Sequence, residues 1–213
     1  MRIAKPGWFV ILRCAVSAGI CLYLCRYPGL RPGCQVVVAV GVVWACFAAY
    51  FFRDPERRHP DDADKIYSPG DGRVLSIEQE GPDDETTIRI FLSIFNVHLQ
   101  RAPCAGTITD AEYIKGSFRA AMKHAARANE RCVIRIEPKG RPGTVVVEQI
   151  AGLIARRIEC WKGIGDAVAA GERYGMIHFG SQVAVTLPGT VRVTVLVGDN
   201  VTAGVTPIAE WIA

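Results

Sequence analysis

Three polar residues in this sequence could together activate a hydroxyl group for attack on an acyl carbon. Ser181 follows Gly180 in the middle of an apolar run, and His98 ends a second apolar run. Asp71 lies between two glycines in a tight turn. A carboxylate that orients an imidazole, which in turn takes a proton from a hydroxyl, is the general scheme for activating a serine. The residue types therefore permit a triad if the fold brings them together.

The bond between Gly180 and Ser181 is a candidate target for this serine within its own chain. A glycine carbonyl is unhindered, and glycine tolerates the unusual backbone angles of a strained turn. Each residue also has a purely structural alternative. The glycine could form a bulge in a buried strand, Asp71 could serve only its turn, and His98 could be a hydrogen-bonded core residue.

The first 52 residues carry two apolar stretches, 7–25 and 35–52, separated by a turn with two Pro-Gly pairs. Each stretch has about the length that a helix needs to cross a hydrocarbon layer of about 30 Å. We predict that residues 1–52 form a hydrophobic helical hairpin in or on the membrane. A shallow insertion is the alternative to a full span, because Arg13 interrupts the first stretch.

Charge is distributed unevenly between this hairpin and the rest of the chain. Residues 1–52 contain five basic residues and no acidic one, whereas residues 53–213 contain 20 basic and 21 acidic residues. The basic character therefore belongs to the hairpin and does not indicate binding to nucleic acid. Cations are more frequent at the two outer ends of the hairpin than in its turn. The positive-inside rule then predicts the inner cell membrane, with the main domain on the cytoplasmic side.

Cysteine usage predicts no metal site. Five of the eight cysteines lie in or beside the hairpin, where they act as small apolar residues. Cys104, Cys132 and Cys160 are widely spaced and have no nearby histidine, which argues against a zinc site.

The remaining residues, 53–213, show the pattern of short strands separated by turn residues. Alternating or valine-rich runs occupy residues 73–79, 86–94, 144–150, 181–187 and 191–197. This pattern predicts a mainly β (α+β) fold, in which a barrel-sandwich-like antiparallel β domain follows the helical hairpin. His59, in the charged connector that precedes the strands, is expected to be solvated.

One internal repeat, Gly-Asp-x-Val-x-Ala-Gly, occurs at Gly165–Gly171 and Gly198–Gly204. We expect both copies to form tight turns in which the aspartate bonds the backbone that follows it and the valine points inward. Paired turns of this kind suggest an alternative function, a membrane-tethered lipoyl- or biotinyl-like carrier or binding module without catalysis. Such a carrier presents a lysine, usually beside a methionine, at a hairpin tip, but the pair Met122-Lys123 falls in a stretch that we predict to be helical.

The stretch Asp110–Arg131 is the one long segment without a strand pattern. Basic residues recur in it every four positions, which predicts a helix with a basic stripe. The stripe could be a solvated face or could contact anionic lipid headgroups or a phosphate.

Six motifs, in their order along the chain, resemble those of the short form of the phosphatidylserine decarboxylase family. The matching segments are Ser68–Val74, Phe95–Pro103, Asn129–Arg131, Gln149–Arg157, Gly175–Ser181 and Val197–Gly204. The resemblance runs from about residue 51 to the C-terminus, and a preceding apolar hairpin also suits the family.

This resemblance implies a pyruvoyl-dependent carboxy-lyase that converts phosphatidylserine to phosphatidylethanolamine in the membrane. Ser181 would attack the Gly180 carbonyl, and the proenzyme would cut itself into chains 1–180 and 181–213 that stay together. The cofactor would be a pyruvoyl group derived from Ser181, with no metal. Its ketone would form a Schiff base with the lipid amine and accept the electrons released as carbon dioxide leaves.

By the family's pattern, Asp71 and His98 would activate Ser181, and His98 could later donate a proton. Larger members carry a second histidine where this chain has Arg101, so the division of labour between cleavage and decarboxylation stays open. His178, shortly before Ser181, could touch the site or only fill space. A homo-oligomer also stays open. A conventional serine hydrolase is a third alternative, but the chain lacks its Gly-x-Ser-x-Gly motif.

Overall fold

Two units follow one another along the chain in a computed structural model, Met1–Glu56 and Arg57–Ala213. The structure describes residues 2–60, 62–80, 84–119, 128–153, 157–178 and 180–212. The first unit contains the two apolar stretches, and the second carries the predicted site residues.

The first unit consists of helix α1 (Lys5–Leu24), a 3-10 turn (Pro28–Leu30) and helix α2 (Arg31–Phe51). A proline stands at the start of each element, where its missing N–H leaves no intrahelical bond unmade. Large apolar side chains such as Trp8, Phe9 and Val43 are mostly exposed on these helices. Both segments are long and apolar enough to cross a membrane, which weakly suggests membrane association. Two short strands, β1 (Arg2–Ile3) and β2 (Arg53–Asp54), pair beside the helices.

The second unit is built from antiparallel strands, which confirms the prediction of a mainly β domain behind a helical hairpin. In chain order the strands are β3 (Lys65–Tyr67), β4 (Gly72–Gln79), β5 (Thr86–Leu92), β6 (Leu99–Arg101), β7 (Gly106–Ile114), β8 (Arg131–Pro138), β9 (Val145–Ile150), β10 (Arg157–Cys160), β11 (Ala167–Val168), β12 (Arg173–His178), β13 (Ser181–Leu187), β14 (Val191–Val193), β15 (Asn200–Val201) and β16 (Pro207–Trp211).

A large curled sheet has eight strands in the order β11-β7-β8-β9-β13-β5-β4-β15. Alternate residues of these strands are buried, as in Ile134 and Ile136 of β8 or Val145 and Val147 of β9, and they form the core. Two three-stranded sheets, β10-β12-β6 and β14-β16-β3, complete the domain. Strand β13 therefore lies in the middle of the large sheet, between β9 and β5.

The two copies of the repeat lie at opposite edges of the large sheet, because β11 and β15 are its two edge strands. Their valines, Val168 and Val201, point inward as predicted. Three residues beyond each edge strand, Gly171 and Gly204 approach so closely that a Cβ on Gly204 would lie 3.2 Å from the Gly171 Cα. The curl therefore brings the two edges of the sheet together.

Three side chains fasten this meeting point, which we call the closure seam. Arg101 Nη1 donates to the Gly171 carbonyl over 2.9 Å, and Arg57 Nη1 donates to the Ala203 carbonyl over 2.8 Å. His59 Nδ1 lies 2.7 Å from the Gly204 carbonyl, and its ring packs edge-on against Tyr67. The expectation that His59 is merely solvated is therefore wrong.

The aspartates of the repeat also differ from the prediction. Asp166 Oδ2 accepts from the N–H of Gly163 and Asp199 Oδ2 from the N–H of Leu196, three residues earlier in each case. The chain folds back just before each aspartate, because Asp166 N–H and Asp199 N–H bond the carbonyls of those same two residues. The carboxylates therefore close the turn that precedes them.

The predicted basic helix is wrong at both ends. Strand β7 extends to Ile114 and β8 begins at Arg131, and these two strands pair along their length. The centre of the segment, including Met122-Lys123, lies outside the described residues. Alternating side chains in 131–138 are the strand signal that the four-residue spacing of the cations obscured.

Replacing Gly204 by alanine should destabilise the second unit. Gly204 has φ +68°, and an added Cβ would lie 2.8 Å from the Arg101 Cδ atom. We expect Gly204→Ala to lower the free energy of unfolding by about 2–4 kcal/mol through backbone strain and overpacking. Gly140→Ala is the matched control, because Gly140 has φ +71° but open space around it. Thermal unfolding of the full chain in detergent checks this, and equal losses for both variants would contradict the closure seam.

Candidate active site

Gly180 and Ser181 lie where the chain passes from one sheet to another. Strand β12 ends at His178 in a three-stranded sheet, and β13 begins at Ser181 in the eight-stranded sheet. Gly180 has φ +62°, in the left-handed region that favours glycine. An added Cβ would meet only Ile94 Cγ2, at 3.6 Å, so glycine is required here by the backbone and not by lack of space.

Ser181 is completely buried at the first position of β13. It pairs with Leu92 of β5, and the next residue, Gln182, pairs with Ile150 of β9. The Ser181 hydroxyl has no hydrogen-bond partner among the described residues. A buried hydroxyl without a partner costs about 1–3 kcal/mol, which makes this position an exception that calls for a functional reason.

His98 contacts the residue that would supply the acyl group. Its Nε2 accepts a hydrogen bond from the Gly180 N–H over 3.1 Å, and its Nδ1 lies 3.0 Å from the Asn96 carbonyl. A carbonyl only accepts hydrogen bonds, so Nδ1 carries the proton and Nε2 presents a lone pair. The Asn96 side chain in turn accepts from the N–H and hydroxyl of Ser93, which shapes the loop that holds the imidazole. His98 is thus a neutral imidazole with its basic nitrogen directed at Gly180.

Asp71 lies on a neighbouring turn. Its carboxylate receives both terminal nitrogens of Arg57 at 2.6 Å and the backbone N–H of Ala203 at 2.8 Å. Among the described residues no contact joins Asp71 to His98. A Cβ on the adjacent Gly70 would lie 3.1 Å from Val183, two residues along β13 from Ser181. The structure therefore brings Gly180, Ser181 and His98 together, whereas the Asp71 carboxylate is bound to Arg57 and to the Ala203 N–H.

His178 lies 3.3 Å from the Glu159 carboxylate, across the β12–β10 pair. Burial lowers the pKa of His178 from its ordinary value near 6.5, and the Glu159 carboxylate partly opposes that shift. The side chain is therefore predominantly neutral at pH 7.

Two features of the site escaped sequence analysis. Arg57 stands in a charged connector where nothing marks its partner, but a largely buried Asp71 requires a cation or several N–H donors. Gln149 is buried on β9 and bonds Gln100 on β6. The strand period would have revealed Gln149, because it shares the inward face with Val145 and Val147. Among the described residues, no three His, Cys, Asp or Glu side chains cluster closely enough to hold a metal ion.

Comparison with known proteins assigns this chain to a class of carboxy-lyases. Residues 44–209 match the family model described as phosphatidylserine decarboxylase. A phosphatidylserine decarboxylase proenzyme of Nitratidesulfovibrio vulgaris is 46% identical over 184 residues, covering 84% of each chain. Proenzymes of the same name from Chlorobium chlorochromatii (41% identity, 90% of this chain and 93% of the relative) and Paraburkholderia xenovorans (38% identity, 98% and 96%) are similar over nearly the whole length. The chain belongs to the phosphatidylserine decarboxylase family.

Removing Arg57 should leave the largely buried Asp71 carboxylate without its counter-charge. The side chains of Arg57 and Asp71 are only 10% and 14% exposed. We expect Arg57→Met to lower the free energy of unfolding by about 3–5 kcal/mol, because the Asp71 carboxylate loses its counter-charge. The control Arg141→Met breaks a more exposed pair with Asp64 and should cost at most about 1 kcal/mol. If the double variant Arg57→Met/Asp71→Asn recovers none of the loss in denaturant unfolding, the buried charge is not its cause.

The lowered pKa of His178 predicts a pH-dependent stability. The unfolded chain binds a proton near pH 6.5 that the folded chain binds only at lower pH, so stability falls as the pH drops below 6.5. We expect His178→Gln to reduce this dependence in thermal unfolding between pH 7.5 and 5.5. Glu159→Gln should steepen it, because it removes the group that opposes the shift. An NMR titration of His178 with a midpoint above 6.5 would refute the assignment.

Proposed function

We propose that this protein is a proenzyme that cuts its own Gly180–Ser181 bond and then decarboxylates phosphatidylserine to phosphatidylethanolamine. The observation that carries the proposal is the lone pair of His98 Nε2, directed at a left-handed glycine beside a buried serine hydroxyl. Membership of the family and the proenzyme names of the relatives support the same conclusion.

The self-cleavage needs only the residues at the site and one water molecule. Ser181 Oγ attacks the Gly180 carbonyl carbon, the peptide C–N bond breaks, and the nitrogen takes up the hydroxyl proton, which gives an ester and a free amine. Loss of the Ser181 α-proton then expels the Gly180 carboxylate and leaves a double bond in residue 181. Water finally replaces the nitrogen of residue 181, which departs as ammonia, and a pyruvoyl ketone results.

His98 is the base available for the first step. His98 Nε2 accepts from the Gly180 N–H in the structure, and a neutral imidazole that releases this bond can accept the hydroxyl proton at the same nitrogen. Its Nδ1–H stays bonded to the Asn96 carbonyl, which stabilises the resulting cation. The Asp71 carboxylate would stabilise the protonated His98 by its negative charge. Because Arg57 holds that carboxylate in the structure, its approach to His98 would require a change of partner.

The surroundings of residue 181 fit a pyruvoyl group. The position is fully buried, and it is fixed at the start of a central strand by ladders to β5 and β9. A ketone at this position supplies the electron sink for the carbon–carbon bond that breaks. His98, beside the same position, would be the proton donor that completes the product.

The two chains, 1–180 and 181–213, would stay together after cleavage. The small chain contributes β13, β14, β15 and β16, and three of these strands pair with strands of the large chain. These ladders lie in two different sheets, so the small chain is held at several separate places. Cleavage at a sheet-to-sheet connection therefore breaks no ladder.

The lipid substrate is consistent with the apolar hairpin. We propose that α1 and α2 hold the enzyme at the inner cell membrane with residues 53–213, the catalytic domain, on the cytoplasmic side. The support is the excess of cations at the outer ends of the hairpin, where Arg2, Lys5 and Arg53 stand, over its turn. The carrier alternative gains no support from any described residue.

Ser181→Ala should abolish cleavage, because it removes the attacking oxygen. The wild-type chain should separate on a denaturing gel into a large and a small chain, with a ketone at the start of the small one. Ser181→Ala should keep the intact mass of 23.2 kDa. Ser76→Ala, which removes a hydroxyl from another strand of the same sheet, is the control and should cleave normally. A cleaved Ser181→Ala chain, or an uncut wild type that decarboxylates phosphatidylserine, would refute the proposal.

A further inference from the structure

Two buried glutamines beside the site leave part of their hydrogen-bonding capacity unused. Gln100 of β6 and Gln149 of β9 are 0% and 1% exposed, and Gln149 Nε2 donates to Gln100 Oε1 over 2.9 Å. We call them the amide pair. Gln100 Nε2 and Gln149 Oε1 have no hydrogen-bond partner within the part of the chain that the structure describes. Exchanging nitrogen and oxygen in both amides leaves the same result, one free N–H donor group and one free carbonyl acceptor.

The register of the strands places Gln149 on the same face as Ser181. Gln149 pairs with Val183 of β13, and residues paired across strands point to the same face. Ser181 and Val183 are two residues apart in β13, so their side chains also share a face. Gln149 is thus one strand over and two residues along from the serine.

Gln100 reaches this face from the opposite sheet, next to His98. His98 immediately precedes β6, and Gln100 follows it by two residues, which is about 7 Å along an extended chain. The Gln100 side chain contacts Gln149 of the large sheet, and the His98 side chain contacts Gly180, the residue just before β13. The amide pair therefore lies between the two sheets, with Gln149 one strand over from Ser181 and Gln100 two residues from His98.

Gly175 makes room for the amide pair. It lies on β12 opposite Gln100, and a Cβ there would be 2.7 Å from Gln149 Nε2 and 3.0 Å from Gln149 Oε1. The absent side chain of Gly175 thus leaves space that the Gln149 amide occupies. The same short segment, Gly175–Ser181, accommodates the amide at one end and supplies the nucleophile at the other.

We propose that the amide pair is the subsite that recognises the α-amino carboxylate of the lipid headgroup. The free N–H would donate to a carboxylate oxygen, and the free carbonyl would accept from the amine. This inference rests on the proposed function and assigns the substrate specificity of the decarboxylase to these two residues. A headgroup with both an amine and a carboxylate satisfies both free groups, whereas the ethanolamine product leaves the N–H unpaired.

A neutral amide suits a carboxylate that must leave as carbon dioxide. The negative charge moves away from the carboxylate in the transition state, so a cation at this place would stabilise the substrate more than the transition state. An amide N–H positions the carboxylate with a smaller penalty of this kind. Loss of the carboxylate then weakens binding of the product, because a buried donor is left without a partner.

The double variant Gln100→Met/Gln149→Met tests this proposal. Replacing both partners of a buried hydrogen bond by apolar groups of similar size can be nearly neutral for stability, so we expect the full chain to fold and cut itself. In detergent micelles, KM for phosphatidylserine should rise about 10-fold or more, as expected for loss of a hydrogen bond to a charged group. Covalent capture of phosphatidylethanolamine by cyanoborohydride, which requires the ketone and the amine but no carboxylate, should change much less.

Gln182→Met is the matched control, because Gln182 is a buried glutamine of β13 that points to the other face. It should leave both measurements near the wild-type values. Parallel losses for the two lipids in the double variant, or an unchanged KM, would overturn the proposal, and so would a folded double variant that stays uncut. If the double variant does not fold, Gln149→Asn, which keeps the amide but shortens it, is measured in the same way. A wild-type chain that stays uncut or lacks a ketone would instead refute the proposed function.

Discussion

The closure of the curled sheet at Gly171 and Gly204 is the contact on which the rest of the second unit depends. An eight-stranded sheet with two free edges would not fix the position of its central strand relative to a turn near its edge. Because the edges meet, the Ala203 N–H can donate to the Asp71 carboxylate while the Ala203 carbonyl accepts from Arg57. The backbones at positions 171 and 204 can approach so closely because both residues are glycines in the left-handed region, where other residues would be strained. The internal repeat thus allows the curled sheet to close almost completely. Arg101, Arg57 and His59 then form hydrogen bonds with the backbone carbonyls at the closure seam.

The site depends on a change of sheet within two residues. His178 still belongs to β12, and Ser181 already belongs to the central strand β13, so the chain must turn sharply at Gly180. This turn exposes the Gly180 N–H to His98, whose tautomer is set by the Asn96 carbonyl on its other side. The same geometry that makes the backbone unusual therefore presents a basic nitrogen to it. The left-handed turn, the base and the nucleophile therefore come together within a few residues, and the ladders on both sides of β13 hold Ser181 in place.

Of the polar groups at and around this site, Asp71 carries a compensated charge, whereas the two histidines and the amide pair are neutral. Asp71 is largely buried and binds a bidentate arginine and a backbone N–H, so its charge is compensated within the scaffold. His98 is neutral, and His178 is kept neutral by burial. The amide pair behind them is polar but uncharged. A site of this kind can position an anionic headgroup by hydrogen bonds, and it avoids the strong ion pair that would hold the carboxylate in place.

Sequence alone determined the features that depend on local pattern. The period of two in apolar residues gave β4, β9 and β13 to within one residue at each end, and the length and apolarity of residues 1–52 gave the hairpin. Residue types and motif order also named Gly180, Ser181 and His98. The partners were decided only by the tertiary structure: Arg57 for Asp71, Gly163 and Leu196 for the repeat aspartates, Gln100 for Gln149, and the pairing of β7 with β8 where a helix was expected. A local pattern fixes which face a side chain takes on its own strand, but the atom it meets there belongs to a distant segment. Which segment arrives depends on the register and curl of the whole sheet, which no short stretch of sequence specifies.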